Sequence, residues 1–548
     1  MLNYSDALAD LFNRSSKPIY GKQWDDSKPT IAVVLDEFST RCFEGIANLV
    51  PIGTQDIEKA LDFFEPDLLL CESAWRGNNY SWRYRFARNS GPDPKVEELV
   101  HAARSRGIPS VFWNKEDPPH FDEFSETAAL FDYIFTTEAG VVERYKTLTG
   151  RSNAYVLPFA AAPEIHTPRR GEGYRAGEVA FAGQYFAHKF PERRTQMEYL
   201  FPAAAKFKFD IYSREQNGDP NYQFPDRYQN LICGSLPYEE MVHAYRRYRI
   251  FLNVNSVPQS ESMCARRIFE LSACKTLVLS SPSNAISRFY SDGEVLQSAT
   301  KERAIELLES AINDDYFHER TAHRAWRVTM RRHTYADRLE YILSVTTKSG
   351  GEIDSTAPSY DLHGPREFSY LAYVDLDTEC SGEQDIERLI REISEQSVPP
   401  RGIIFGKGAS AEADGPLLTR QAARQGLPAV ELAGNEGTFA VSFTTGMSYG
   451  AGFAEDLFLC SRQQPEAFFG KTELFDGTRI AGCRPESTVP TVLRGTVAAR
   501  RLEDLVRLYD SSSRGTRPME LPADGYSVDR FNCLATTSAI LEDNDWKI

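Results

Sequence analysis

"SMCARRIFELSACKTLVLSSPS", residues 262–283, opens polar and basic, passes into a helix-like run and ends in an apolar strand. Arg266, Arg267 and Glu270 fall where this stretch turns into its helix, between the apolar runs "RIFLNVNS" and "TLVLSS". Short apolar strands alternating with helices indicate a parallel α/β sheet, and ligands gather at the carboxyl edge of such sheets. The three charged residues therefore have two readings. In one, Glu270 pairs with Arg266 one turn earlier, a contact worth a few tenths of a kcal/mol on an exposed helix. In the other, the Glu270 carboxylate accepts hydrogen bonds from a vicinal diol such as a ribose. Cations at a helix start oppose the macrodipole, which prefers anions there. Their presence makes sense if a diphosphate arrives, so the stretch reads as a nucleotide pocket.

Working outward, the flanking sequence repeats the same alternation. "GEVAFAGQY" is a strand running into a Gly turn, "ERRTQMEYLFPAA" a helix, "FKFDIYSR" a strand and "EEMVHAYRRY" a helix. Two periodic helices close this domain near residue 346. Upstream, "TIAVVLDEF", "PDLLLCESAW" and "IPSVFWNKEDP" form an earlier series whose strand ends are acidic or aromatic. Two sequential α/β domains make a cleft, a geometry that binds two ligands and excludes water between them. Residues 347–367, rich in Gly, Ser, Thr and Pro, read as a linker to a third α/β unit over 368–548.

Composition bounds the partners. A chain of 548 residues is too long for one core. Its net charge of −16 argues against a general nucleic-acid binder. The nine cysteines show no CxxC pair and sit mostly in apolar runs, as in a reducing compartment. No run approaches eighteen apolar residues and the first residues lack the apolar core of a signal peptide, so no membrane span and a cytoplasmic location are expected.

The remaining polar candidates cluster at inferred strand ends. In the second domain these are Gly183, which permits close backbone approach of a ligand, Tyr212 and Arg214. Gly234 and Tyr238 in "CGSLPYEEM" join them, with Asn255 and Ser256 in "LNVNSVPQ". "HKFPERR" adds Lys189, Arg193 and Arg194, which read best as a solvated basic helix face. In the first domain, Asp117 and His120 of "KEDPPH" are candidate bases for an acceptor hydroxyl, or else parts of a rigid turn.

Together "FLNVNSVPQSESMCARRIFELSACKTLVLSS", "FWNKEDPPHFDEF", "FDYIFTTEAG" and "FAGQYFAHKFPERR" resemble the spore-maturation-type, CgeB-like glycosyltransferases of bacteria, over roughly residues 20–345. That resemblance implies a GT-B fold, two Rossmann-like domains (1–170 and 171–346) facing a cleft, with a nucleotide diphosphate sugar held by the second. It implies that Glu270 binds the ribose and that Arg266 and Arg267 lie near the diphosphate. "SESMC" stands where relatives tend to have Ser-Pro-Thr-Met and an aromatic residue, a departure in the sugar pocket. The third unit resembles a GT-A, family 2-like domain. "SFTTGMS" (442–448) stands where such domains carry their metal-binding acids, and "DLD" at 375–377 lies at the wrong place. Without a carboxylate pair no Mg²⁺ or Mn²⁺ site is expected, and the unit reads as a degenerate module for acceptor binding or homo-oligomer assembly. The expected function is metal-independent transfer of a sugar to a cell-surface glycan, polymer or protein acceptor, with no cofactor beyond the donor. A non-catalytic nucleotide-sugar-binding scaffold and a GT-B-fold epimerase are the alternatives.

Overall fold

The computed structural model describes residues 24–88, 91–214, 218–347, 368–376, 382–406, 415–471, 485–493, 496–511, 518–529 and 533–535. Residues 348–367 of the linker read as 347–367, and Asp377 of the "DLD" triplet, lie outside them. The chain forms two compact units, one of residues 1–166 with 175–364, the other of residues 167–174 with 365–548.

The first unit contains two parallel sheets. β1 (Thr30–Val34), β2 (Asn48–Pro51), β3 (Leu68–Glu72), β4 (Ser110–Asn114), β5 (Tyr133–Thr136) and β6 (Ala154–Val156) stand in the order β2-β1-β3-β4-β5-β6. The apolar runs split by alternation, as a strand buried on both faces requires. Ala32, Val34, Leu69 and Cys71 face the helices Ile57–Phe64 and Pro94–Ser105. Ile31, Val33, Leu68 and Leu70 face the opposite core.

The second sheet holds β7 (Gly177–Gly183), β8 (Phe209–Ser213), β9 (Ile232–Gly234), β10 (Tyr248–Asn253), β11 (Leu277–Ser280) and β12 (Leu296–Gln297). Its order, β12-β11-β10-β7-β8-β9, reverses direction between β7 and β10. In doubly wound sheets that reversal opens the crevice where ligands bind. Gly183 and Asn253 end the two strands that flank it.

The last of the periodic stretches, "ERTAHRAWRVTMRRHTYADRLEYILS", is not one helix. It breaks after Asp315–Arg332, and Thr334 starts a new turn by donating its N–H and hydroxyl to Asp337 Oδ2 at 2.7 Å each. The next helix, Tyr335–Thr347, packs Tyr335, Leu339, Tyr341, Ile342 and Val345 against Ile31 and Val33 of the first sheet. The returning chain runs beside the outgoing one. Ala161 N–H donates to His333 O and Tyr335 N–H to Ala161 O, both at 2.9 Å. Buried Arg338 ties the two together, giving its guanidinium to the carbonyls of Pro158, Phe159 and Arg332. A second tie lies at the strand ends. Buried Ser262 accepts from Ala139 N–H at 2.8 Å and donates to Thr137 O at 2.9 Å, joining the two sheets.

The second unit is a mixed seven-stranded sheet. β13 (Leu371–Asp375), β14 (Gly402–Phe405) and β15 (Ala440–Thr444) are parallel, and four further strands extend the sheet among the described residues with both orientations. Residues 167–174, assigned by sequence to the first two domains, belong here. Arg169 bonds Gln464 Oε1 at 2.9 Å and Glu466 Oε1 at 2.5 Å. Among the described residues no helix is long and apolar enough to cross a membrane.

Candidate active site

The crevice of the second sheet is built on a hydrogen-bonded floor. Asn255 donates to Ser280 Oγ, Ser281 O and Ser281 Oγ at 2.9–3.1 Å, and its backbone N–H meets Gln196 Oε1 at 2.6 Å. Asn255 was expected to touch a ligand. Its side-chain donors are consumed by the loop, so it shapes the crevice instead. The Tyr212 hydroxyl is likewise engaged within the protein, 2.8 Å from that of Tyr248, which donates to Asp210 Oδ2 at 2.5 Å. Gly234, with φ of 114°, ends an edge strand two positions from β7 and is not brought to the crevice.

Four arginines converge there. Phe190, in the left-handed region at φ of 53°, and Pro191 start the helix Pro191–Ala204 so that Arg193 swings inward. The basic-face reading of "HKFPERR" is therefore corrected for this residue. Arg193 reaches Val254 O at 3.4 Å and Ser256 Oγ at 3.3 Å. A Cβ built on Gly183 would lie 3.8 Å from its Nη2, so the glycine turn sits over the guanidinium. Burial, then the charges of Arg267 and Arg214, push Arg193 down to about 10. Arg214 keeps solvent contact, yet it too is lowered, first by the protein atoms around it and then by Arg266 and Arg267. Nε of Arg193 and Nε of Arg267 are closed to solvent and bond to nothing.

Arg266 and Glu270 form the pair that the spacing allowed, Nε to Oε1 at 3.1 Å. Tyr245 donates to the other oxygen, Oε2, at 2.7 Å. Burial alone would raise the Glu270 carboxyl, but Arg266 and the Tyr245 hydroxyl outweigh it and hold it below the usual range. The Arg266 guanidinium lies 3.7 Å from the ring centre of Phe38, which follows β1 in the first sheet, and 5.5 Å from that of Tyr238. Tyr238 stands edge-on to Phe38 at 4.9 Å and meets Nε2 of buried His166 at 2.7 Å. The strand ends of both sheets thus meet around one cationic cluster. Among the described residues, Glu270 is the carboxylate that pairs within this group of four arginines.

On the first sheet Asp117 is fully buried. Its Oδ1 takes the Asn114 amide at 2.9 Å, and its Oδ2 takes Thr136 at 2.6 Å and Tyr145 at 3.0 Å. Burial drives its carboxyl up to about 7. This is the rigid-turn role, and it leaves no oxygen facing an acceptor. His120 is half-buried. Its Nδ1 lies 3.0 Å from Glu123 Oε1 and its ring stands edge-on to Trp75 at 5.4 Å. In the second unit, the stretch 442–448 places buried Thr444, Thr445 and Ser448 where acids were missed in the sequence. Arg388 holds them through Thr445 O and Ser448 Oγ at 2.8 and 2.9 Å.

Residues 193–344 match the family model described as "Glycosyl transferase-like". No curated protein matches the sequence. Among solved structures, the chain is similar to Anabaena HepE in complex with UDP and glucose, at 10% identity and a TM-score of 0.39, over 58% of this chain and 92% of that one. A glycosyltransferase from Rickettsia africae is 12% identical with a TM-score of 0.38, over 59% and 100%. An alpha-glucosyltransferase in complex with UDP and a 13-mer DNA is 12% identical with a TM-score of 0.40, over 60% and 89%. The family match spans the residues that carry Arg193, Arg214, Arg266, Arg267 and Glu270. Residues 193–344, within the second Rossmann-like half of the first unit, thus match a glycosyltransferase family model, and the unit as a whole is built on a pair of parallel α/β sheets.

Proposed function

We propose that the chain transfers a sugar from a nucleotide diphosphate sugar to a cell-surface glycan, polymer or protein acceptor, without a metal ion. The observation that carries this reading is the imbalance of charge in the crevice. Burying guanidinium groups without carboxylates is costly unless an anion arrives to match them. A diphosphate meets that need, and Arg193 and Arg267 offer it donors that have no other use. Negative charge grows on the leaving diphosphate as the glycosidic bond breaks, so hydrogen bonds from these arginines strengthen in the transition state, each worth about 1.5–3 kcal/mol. Glu270 Oε1 accepts no hydrogen bond and stays the candidate for the ribose hydroxyls once a ligand displaces Arg266 from it. Tyr238 would hold Arg266 in place by its ring. His120, backed by Glu123, is the base candidate that the geometry leaves in the first half, with Nε2 for the acceptor hydroxyl.

The second unit is read as a degenerate GT-A-like module that binds acceptor or joins copies of the chain, and the setting as bacterial cell-envelope synthesis in the cytoplasm. A panel of nucleotide sugars tested by thermal shift decides the donor. A ligand at a hundred times its Kd adds about 2.7 kcal/mol of stability. Turnover of that donor should continue in EDTA. If chelation abolishes turnover and Mn²⁺ restores it, the arginines do not replace a cation and the metal-free reading is wrong.

A further inference from the structure

The segment after β3, "WRGNNYSWRYRFAR" (75–88), contains no acidic residue in a chain of net charge −16. Its backbone is held in an unusual form. Gly77, Asn78, Asn79, Tyr80 and Tyr84 all have positive φ, between 38° and 70°. Side chains with a Cβ adopt that region at a cost, and they persist in it only where the surroundings over-determine them. Here the anchors are explicit. Asn78 bonds Leu35 N–H at 3.1 Å, Val33 O at 2.8 Å and Ile52 O at 2.9 Å. The buried Trp82 indole donates to Ile52 O at 2.7 Å, and Asp36 Oδ1 accepts the Gly77 N–H at 2.8 Å. This fixed loop presents Tyr80 and Tyr84 to solvent, 53% and 56% exposed. Arg76 lies 5.0 Å from the Tyr80 ring centre and Arg83 5.0 Å from that of Tyr84. Arg85 and Arg88 pair with Asp93, whereas Arg76 and Arg83 pair with no carboxylate among the described residues. The Trp75 ring links the loop to the site, 6.5 Å from Tyr84 and 5.4 Å from His120.

We infer that residues 76–84 form a binding surface for an anionic glycan, a sugar chain bearing sparse carboxylate or phosphate groups, which feeds its end past Trp75 toward His120. The inference rests on the glycosyl-transfer reading for the identity of the chain it binds. Rigid aromatic rings offer flat apolar faces at little entropic cost, and the two arginines beside them supply local positive charge on a chain whose net charge is −16. A polyanion charged at every unit, such as single-stranded nucleic acid, is repelled more strongly by the net charge of −16.

Native gels cast with hyaluronan, with dextran, or with added dT15 oligonucleotide test the surface on the full chain. Hyaluronan should retard the wild type and dextran should not. Tyr80→Ala/Tyr84→Ala and Arg76→Gln/Arg83→Gln should each raise the apparent Kd for hyaluronan about tenfold or more, with unchanged thermal stability and unchanged donor hydrolysis. Variants retarded like the wild type, equal retardation by dextran, or tighter binding of dT15 would overturn the assignment. If the chain hydrolyses no nucleotide sugar while hyaluronan is still bound through these four side chains, the surface stands and the glycosyl-transfer reading falls.

Discussion

At the carboxyl edge of the first sheet the buried carboxylates have found partners inside the protein. Glu72 lies 2.6 Å from Lys115, Asp36 accepts the Gly77 N–H, and Asp117 is surrounded by Asn114, Thr136 and Tyr145. At the corresponding edge of the second sheet, Arg193, Arg214 and Arg267 crowd one another while Glu270 is already occupied by Arg266. The same edge of the same type of sheet is closed electrostatically in one case and left open in the other. A closed edge stabilises the apo fold. An open one gives up some stability and gains it back when an anion binds, which is how a binding site differs from a folded turn.

The largest expected break in this comparison comes at the one closed contact within the open edge. Glu270→Ala leaves the partly exposed Arg266 without its partner and the buried Tyr245 hydroxyl without its acceptor, with the cost of breaking a fully buried pair, about 3–5 kcal/mol, as the upper bound. Urea denaturation measures it, and a loss below about 1 kcal/mol would show that the pair does not hold the crevice. On the closed edge, Asp117 provides a pH signature. Its folded carboxyl titrates at about 7 against an ordinary 3.8, so the fold favours the protonated form. The stability it contributes is fully present below the unfolded value and fades as pH rises through about 7. Relative to Asp117→Asn, the wild type should lose on the order of 4 kcal/mol at most between about pH 4 and pH 8. Parallel pH curves for the two proteins would refute the shift.

Arg193→Gln should separate binding from folding. Removing one of several mutually repelling cations leaves the apo protein as stable as before or more so. The affinity for a nucleoside diphosphate, measured by calorimetry, should fall by about 1.5–3 kcal/mol. Unchanged affinity would mean that the arginines are a structural cluster. The smallest effect is expected at the exposed Arg41–Glu37 pair beside the first edge, 3.0 Å apart and one turn apart on a helix. Arg41→Ala should cost only a few tenths of a kcal/mol.

Much of this was legible in the sequence because strands buried on both faces advertise themselves. "TIAVVL", "LLLC" and "RIFLN" needed no tertiary information, and the Arg266–Glu270 spacing named its own partner. What was missed depended on direction. Arg193 sits in a run that looks like a wet helix face, and only the left-handed Phe190 before Pro191 turns it inward. The break at Thr334 was hidden because the residues on either side keep a helical pattern, and which sheet a helix packs on is not written in its periodicity. Tyr212 and Asn255 stand at strand ends as expected, but partners from distant elements, Tyr248 and Gln196, claim them first. Arg388 does the same for the Ser448 hydroxyl and the Thr445 carbonyl of 442–448.

The paired crossing at Ala161 and His333–Tyr335 has a mechanical meaning. Two chain segments hydrogen-bonded side by side, with Arg338 riveting their carbonyls, act as a strap hinge rather than a swivel. Sliding one half past the other would shear both hydrogen bonds at once, whereas folding the halves toward each other strains neither. Opening about that strap would first have to break the Ser262 bonds to Ala139 and Thr137 and lift Phe38 off Arg266, so the halves are latched at their strand ends as well as hinged at the crossing.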